Sequence, residues 1–211
     1  MDLRKMNYDT DTLLDKFNLN VTQDCSVLND WTTISGTLNA AEMEMLSQLR
    51  DDISLEVRSW NEEELKMHCI SLMMYIAKIK QEGKVKVFYE RTISAVVENE
   101  RLSVKSDCLI ASPTGVATPR APYFFLNEYK KSKGEKVDPE GQMLTGMLIA
   151  QELNKDDKPL YGAWLEGKFW TFHVLNGKEY CASRSYDASK IEDLQGIVLI
   201  LRRLKELILN R

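Results

Sequence analysis

Histidine is scarce in this chain of 211 residues: only His68 and His173 are present. The four cysteines, Cys25, Cys69, Cys108 and Cys181, are far apart and form no Cys-x-x-Cys pair, which excludes a recognisable zinc site or disulfide framework. His68 and Cys69 are adjacent in a helical pattern and cannot share a face, so structural roles are expected for both. No run approaches the roughly 18 apolar residues of a membrane span. The start, Met1-Asp2-Leu3-Arg4-Lys5, leads into polar residues instead of an apolar signal core. A cytoplasmic location without a membrane partner is the expectation. Basic excess is also missing: 28 Lys and Arg stand against 32 Asp and Glu, a net charge of −4. The surface as a whole therefore does not attract a polyanion, and such a partner would need a local basic patch.

What the chain does have is a concentrated apolar stretch that ends in charge. Tyr123 to Lys130 reads Tyr-Phe-Phe-Leu-Asn-Glu-Tyr-Lys. Strand alternation would line up Phe124, Leu126, Glu128 and Lys130, and the apolar content of both faces predicts an interior strand. Glu-x-Lys occurs four times in the sequence. Glu64-Leu65-Lys66 falls in a helical pattern, where residues two apart diverge. Glu82-Gly83-Lys84 and Glu166-Gly167-Lys168 are centred on turn glycines. Only Glu128-Tyr129-Lys130 ends a buried strand, where a spacing of two delivers both groups to one side. Lys130, Lys131, Lys133 and Lys136 then form the best candidate for a basic patch.

Around this strand the pattern is ordered. Residues 1–58 read as a helical arm, with a helix capped by Asn39 and carrying Met43, Leu46, Leu49 and Ile53. A helix from Trp60 to Gln81, capped by Asn61, has Glu62, Glu63 and Glu64 in its first turn, where negative charge is favourable, and Gly83 after its end. Strand patterns follow at Val85 to Tyr89, Ile93 to Val97 and Leu102 to Ile110, the last two joined as a hairpin by Glu98-Asn99-Glu100-Arg101. Asp107 interrupts the second arm just before an apolar trio, which marks it as a strand-end or site residue. Pro113, Gly115, Pro119 and Pro122 predict a loop over Ser112 to Pro122. Beyond the central strand, Asp138 and Pro139 open a helix to about Leu153 with Gln142 near its start. Strands separated by Glu166-Gly167 and Asn176-Gly177 follow, then a closing helix from Asp187 to Leu209. The sum is a mixed α+β sheet flanked by helices, with a domain over 59–211 following the arm.

Asp107 on one strand, Glu128-Tyr129-Lys130 on the next and Gln142 early in the following helix resemble the PD-(D/E)XK nuclease superfamily. Residues about 60 to 165 look like that family's helix, three strands, helix, strand core. Phe124 to Met147 and Tyr161-Gly162 to Phe172 resemble its bacterial, restriction-endonuclease-like members. Ser106 departs from the motif, standing where its name expects proline.

The resemblance implies a magnesium or manganese ion held by Asp107, Glu128, the Tyr129 carbonyl and Glu62, with Glu63 or Glu64 as alternatives for the helix acid. It implies Lys130 and Gln142 as catalytic groups at the attacking water and phosphate, and Lys131, Lys133 and Lys136 as contacts to nucleic acid, foremost DNA. It leaves room for a homodimer. A hard cation on carboxylate oxygens neutralises the charge that builds on a phosphodiester during hydrolysis. A nuclease-fold binding module without activity is the alternative. A hydrolase pairing Glu128 with Glu166 is disfavoured by the turn at Glu166.

Overall fold

The computed structural model describes residues 9–115, 118–130 and 138–211, with 125–130 described at the level of the backbone. In chain order the elements are α1 (Thr10–Lys16), β1 (Asn20–Val21), α2 (Ser26–Thr32), α3 (Ala40–Glu56), α4 (Glu62–Leu65), a π-helical turn (Lys66–Ile70) and α5 (Ser71–Ile76). Then come β2 (Lys86–Val97), β3 (Glu100–Thr114), β4 (Thr118–Lys130), α6 (Pro139–Asn154), β5 (Leu160–Glu166), β6 (Phe169–Asn176), β7 (Glu179–Asp187) and α7 (Ile191–Leu209).

The strands form one mixed sheet in the order β1-β7-β6-β5-β4-β3-β2. β2, β3 and β4 are an antiparallel meander. Its first turn places Glu98 and Asn99 in the left-handed region, at φ 46° and 70°, as a two-residue turn between twisted strands requires. β5 runs parallel to β4, so the chain must cross over the sheet to reach it, and α6 is that crossover.

Alternation sorts the apolar side chains into two cores, one on each face of the sheet. Tyr161, Ala163 and Leu165 of β5 and Trp170, Phe172 and Val174 of β6 pack with α2, α3, α5 and α7. Leu160, Leu175 and Tyr180 pack on the opposite side with α1 and α6. Helices therefore cover both faces, which is why the middle strands are apolar on both. Trp31 is fully buried in the first core, where its indole Nε1 donates to the Ile200 carbonyl at 3.0 Å and its ring meets Tyr161 and Phe172 edge-on. The N-terminal segment contributes to both cores through α1, α2 and α3, and β1 pairs with β7.

Two packing details yield measurable expectations. A Cβ at Gly162 would lie 2.8 Å from Met143 Sδ and 3.0 Å from Met147 Sδ, so β5 and α6 approach as closely as glycine permits. Gly162→Ala should cost about 1–3 kcal/mol in urea unfolding, nearer the lower figure because thioether side chains can shift. Glu42 completes a capping box with Asn39 at the start of α3 and pairs with Lys78 at 2.8 Å and Arg202 at 3.0 Å. The Lys78 hydrogen bond, then the Asn39 backbone and the Arg202 charge, outweigh burial and hold its carboxyl at about 2. That stability is complete above the ordinary carboxylate range and is lost as pH falls toward 2. Glu42→Ala should cost about 2 kcal/mol at pH 7, read in the same unfolding experiment.

Four sequence expectations are corrected. Ser112 to Pro122 is not a loop: β3 continues to Thr114, β4 begins at Thr118, and Pro113 registers with Pro119. Register shifts beside Ala111 make this end of the hairpin irregular, and proline is compatible with such stretches because ladder hydrogen bonds are already interrupted. The same shifts bypass Phe124, which packs in the first core, so it leaves the row of positions 126, 128 and 130. The helix expected to run to Gln81 ends at Ile76, and left-handed Lys78 at φ 57° turns the chain before Gly83 is reached. The last helix starts at Ile191, because Asp187 ends β7 and its carboxylate accepts the Ser189 N–H and hydroxyl.

Candidate functional site

Register brings the predicted strand residues together. Cys108 of β3 pairs with Asn127 of β4 at the end of their ladder, and Asp107 and Glu128 are the next residue of each strand. On the other side Glu128 registers with Trp164 of β5, and Lys130 with Glu166. Positions 107 and 128 thus lie on adjacent strands, each one residue past the last pair of the ladder, with 130 two residues beyond. Asp107 is half-buried. The side chains of Glu128, Tyr129 and Lys130, and all of Lys131, Lys133 and Lys136, lie outside the described residues.

α6 supplies Gln142, which is half-buried in the first turn and donates its N–H to the Asp138 carbonyl at 3.1 Å. The Asp138 carboxylate accepts the Thr10 N–H and hydroxyl at 2.8 and 2.7 Å, which ties the start of α6 to α1. α6 packs across β2 to β5, so its start is fixed against the strands that carry Asp107 and Glu128. Trp164, level with Glu128, buries an indole nitrogen that has no partner among the described residues.

The three glutamates of α4 are separated by their contacts. Glu64 forms a capping box with Asn61, its N–H bonding Asn61 Oδ1 at 2.9 Å and its carboxylate accepting the Asn61 N–H at 2.7 Å. Glu63 is exposed and pairs with Lys66 at 2.6 Å. Glu62 is half-buried in the same first turn.

Three charged residues that the sequence reading passed over stand beside Asp107. The pairs Tyr89↔Cys108 and Arg91↔Ser106 bracket Glu90 of β2 and Asp107 of β3, which face each other between them. Glu90 is left-handed at φ 54°, a conformation that side chains bearing a Cβ avoid. Its Oε1 accepts from the buried Lys66 ammonium at 2.6 Å, and its Oε2 pairs with Lys105. Burial alone would pull the Lys66 ammonium down, yet Glu63 and Glu90 outweigh it and the net shift is upward. Burial likewise opposes ionisation of Glu90, and Lys105 and Lys66 reverse it, so its carboxyl titrates below the usual range. The Lys105 ammonium is raised by Glu90 first, with a contribution from Asp107.

The sequence carries no local signal for this cluster. Val85, Val87 and Tyr89, then Ile93, Ala95 and Val97, all fall on odd positions, so the alternation reads straight through Glu90 and hides the turnover. Lys66 gives no sign either, because nothing in a helical pattern announces a π-helical turn.

Among the described residues no group of three His, Cys, Asp or Glu side chains is arranged to hold a metal ion. Among them also no helix is long and apolar enough to cross a membrane. Comparison of the sequence with models of known families and with characterised proteins gives no match.

Proposed function

We propose that this protein is a metal-dependent nuclease of the PD-(D/E)XK type acting on DNA, with Asp107, Glu128 and Lys130 at its centre. The observation that carries the reading is the register: an aspartate and a glutamate, each one residue past the last pair of adjacent β3 and β4, with the lysine two residues past the glutamate. The order helix, antiparallel β2-β3-β4, crossover helix, parallel β5 adds support, since it is the order that the nuclease resemblance implies.

The donor chemistry fits a hard cation. Asp107, Glu128 and the Tyr129 carbonyl offer oxygen only, and the nearby lysines keep the site from being uniformly acidic. A bound magnesium or manganese ion would supply charge neutralisation at the phosphate and acidify a water. The chain's own groups do the rest. Lys130 orients the attacking water, and Gln142 hydrogen-bonds the phosphate from α6. Glu62, half-buried in the first turn of α4, is the helix acid that the nuclease resemblance favours. Lys131, Lys133 and Lys136 would hold the flanking backbone, a contribution to affinity that carries no sequence information.

The test is cleavage of double- and single-stranded DNA with Mg²⁺ or Mn²⁺, with Glu128→Gln as the control. Cleavage that requires metal and is lost in the folded variant supports the reading. Intact substrate in every form, from a folded protein with either metal, overturns it. The second reading, a nuclease fold that only binds a partner, is favoured by the net charge of −4, which opposes non-specific DNA affinity. Calorimetric Mn²⁺ titration separates the two, because a scaffold shows no uptake that depends on Glu128.

A further inference from the structure

Glu90 and Lys66 form a clamp whose position in the sheet gives it a task. Phe88 and Ile93 of β2 both pack on the α6 side, although five residues separate them, and so do Val104 and Leu109 of β3. An odd spacing means that each strand turns over once in between. Both strands turn over at the same level, around the facing pair Glu90 and Asp107. This is where β2 carries its left-handed glutamate, and where buried Ser106 of β3 closes a local bond from its hydroxyl to the Cys108 carbonyl at 3.0 Å.

A left-handed residue with a Cβ persists inside a strand only if its surroundings hold it there. The surroundings here are ionic. Lys66 approaches from the helix layer with its ammonium between Glu63 and Glu90, each at 2.6 Å, and Lys105 takes the second Glu90 oxygen from β3 itself. The π-helical turn is part of the arrangement: Lys66 opens it, and the Lys66 carbonyl accepts both the N–H and the hydroxyl of Ser71. Tyr89 sits next to this group, with its phenol pushed up to about 12 by burial despite a Ser71 hydrogen bond. Helix, β2 and β3 are therefore locked to one another at the level of Asp107.

We propose that Glu90 and Lys66 are positioning residues for the metal site: by holding β2 in its left-handed turnover, they fix where β3 presents Asp107 to its neighbour on β4. This rests on the nuclease reading, and it adds two residues that touch neither metal nor substrate. It also gives the turnover a purpose, since a regular strand pair would bury apolar groups equally well and needs no left-handed glutamate.

The test compares Glu90→Ala with Glu90→Gly. Both remove the clamp, but alanine makes the left-handed backbone unfavourable, whereas glycine adopts it freely. Mn²⁺ affinity is measured on the full chain by calorimetry, with urea unfolding in parallel. Glu90→Ala should bind Mn²⁺ about tenfold more weakly or worse, the scale typical for loss of a supporting group. Glu90→Gly should recover to within about threefold of the unsubstituted protein. Where cleavage is followed, the alanine variant should lose kcat with KM little changed, since the loss lies in placing Asp107 and not in holding DNA.

Two results overturn the proposal: both variants binding Mn²⁺ normally while unfolding at lower urea, or glycine binding as weakly as alanine. If the unsubstituted protein takes up no Mn²⁺ through Glu128, the nuclease reading falls first and the positioning role with it. If it does so and the Glu90 variants are indifferent, only the positioning role is lost.

Discussion

Replacing Asp107 by asparagine is expected to remove Mn²⁺ uptake and DNA cleavage together, with a rate loss of at least about 10²-fold and little change in stability. The substitution keeps shape and hydrogen-bonding capacity at a half-buried position and deletes only the negative charge. Asparagine can still offer one carbonyl oxygen to a cation, so geometry is retained while the negative charge of the β3 side is lost. The check is paired: calorimetry for the metal and a labelled oligonucleotide for cleavage, both on protein whose urea midpoint matches the parent. Cleavage at the parental rate would show that β3 contributes nothing to the chemistry, and the proposed site would be wrong.

The second large effect concerns acid stability and a residue away from the site. His173 of β6 is 1% exposed, and neither ring nitrogen has a hydrogen-bond partner among the described residues. Its ring stacks on Tyr180 at 5.2 Å, and the Tyr180 hydroxyl donates to Glu140 Oε1 at 2.9 Å. His173 Nδ1 is 3.8 Å from that same oxygen, too far for a hydrogen bond. Burial therefore decides, and pulls the imidazole to about 3. The unfolded chain takes up a proton near pH 6.5 that the folded chain refuses.

Stability is thus complete above that value and declines as pH falls toward 3, by on the order of 4 kcal/mol over the window. Glu140, raised chiefly by burial, works in the opposite direction through the upper carboxylate range, so the observed loss will be smaller there. His173→Phe keeps the ring, removes two unsatisfied nitrogens and abolishes the refused proton. It should unfold at higher urea than the parent at pH 5, by about 2 kcal/mol, with a smaller difference at pH 7. Equal pH dependence of the two proteins would show that His173 takes up its proton in the folded chain as it does in the unfolded one, and would overturn the prediction.

The elements that sequence reading located correctly are those whose signal is local. The Asn39 cap, the hairpin turn starting at Glu98 and the Pro139 helix start each depend on a few neighbouring residues and are found in the structure, with the turn closing at Asn99 where the pattern extended it to Arg101. Three of the four errors share one cause. The prolines of 112–122 were weighed for what they do to an isolated chain, but pairing across β3 and β4 absorbs them in an irregular hairpin end. The early end of α5 follows from left-handed Lys78, whose ammonium pairs with Glu42 of α3 and whose carbonyl accepts from Lys205 of α7. Those contacts are remote in sequence, and no propensity encodes them.

The candidate site divides in the same way. Asp107 and the Glu128-Tyr129-Lys130 stretch were legible because charge at the edge of an apolar strand is costly and so conspicuous. Neither Glu90 nor Lys66 was legible, since the alternation on either side of Glu90 is in phase and a helical pattern hides a π-helical turn. By itself the sequence determined where the strands of the central meander and of 160–187 lie, that both faces of the sheet are covered, and which strands carry the acids and the lysine, though it missed β1 and divided β2 in two. Only tertiary structure decided the strand register, whose last pair stands beside positions 107 and 128, and the turnover that joins Glu90 to Lys66 across 24 residues. Periodicity and capping are properties of neighbours along the chain, whereas register and ion pairing depend on how separate segments meet.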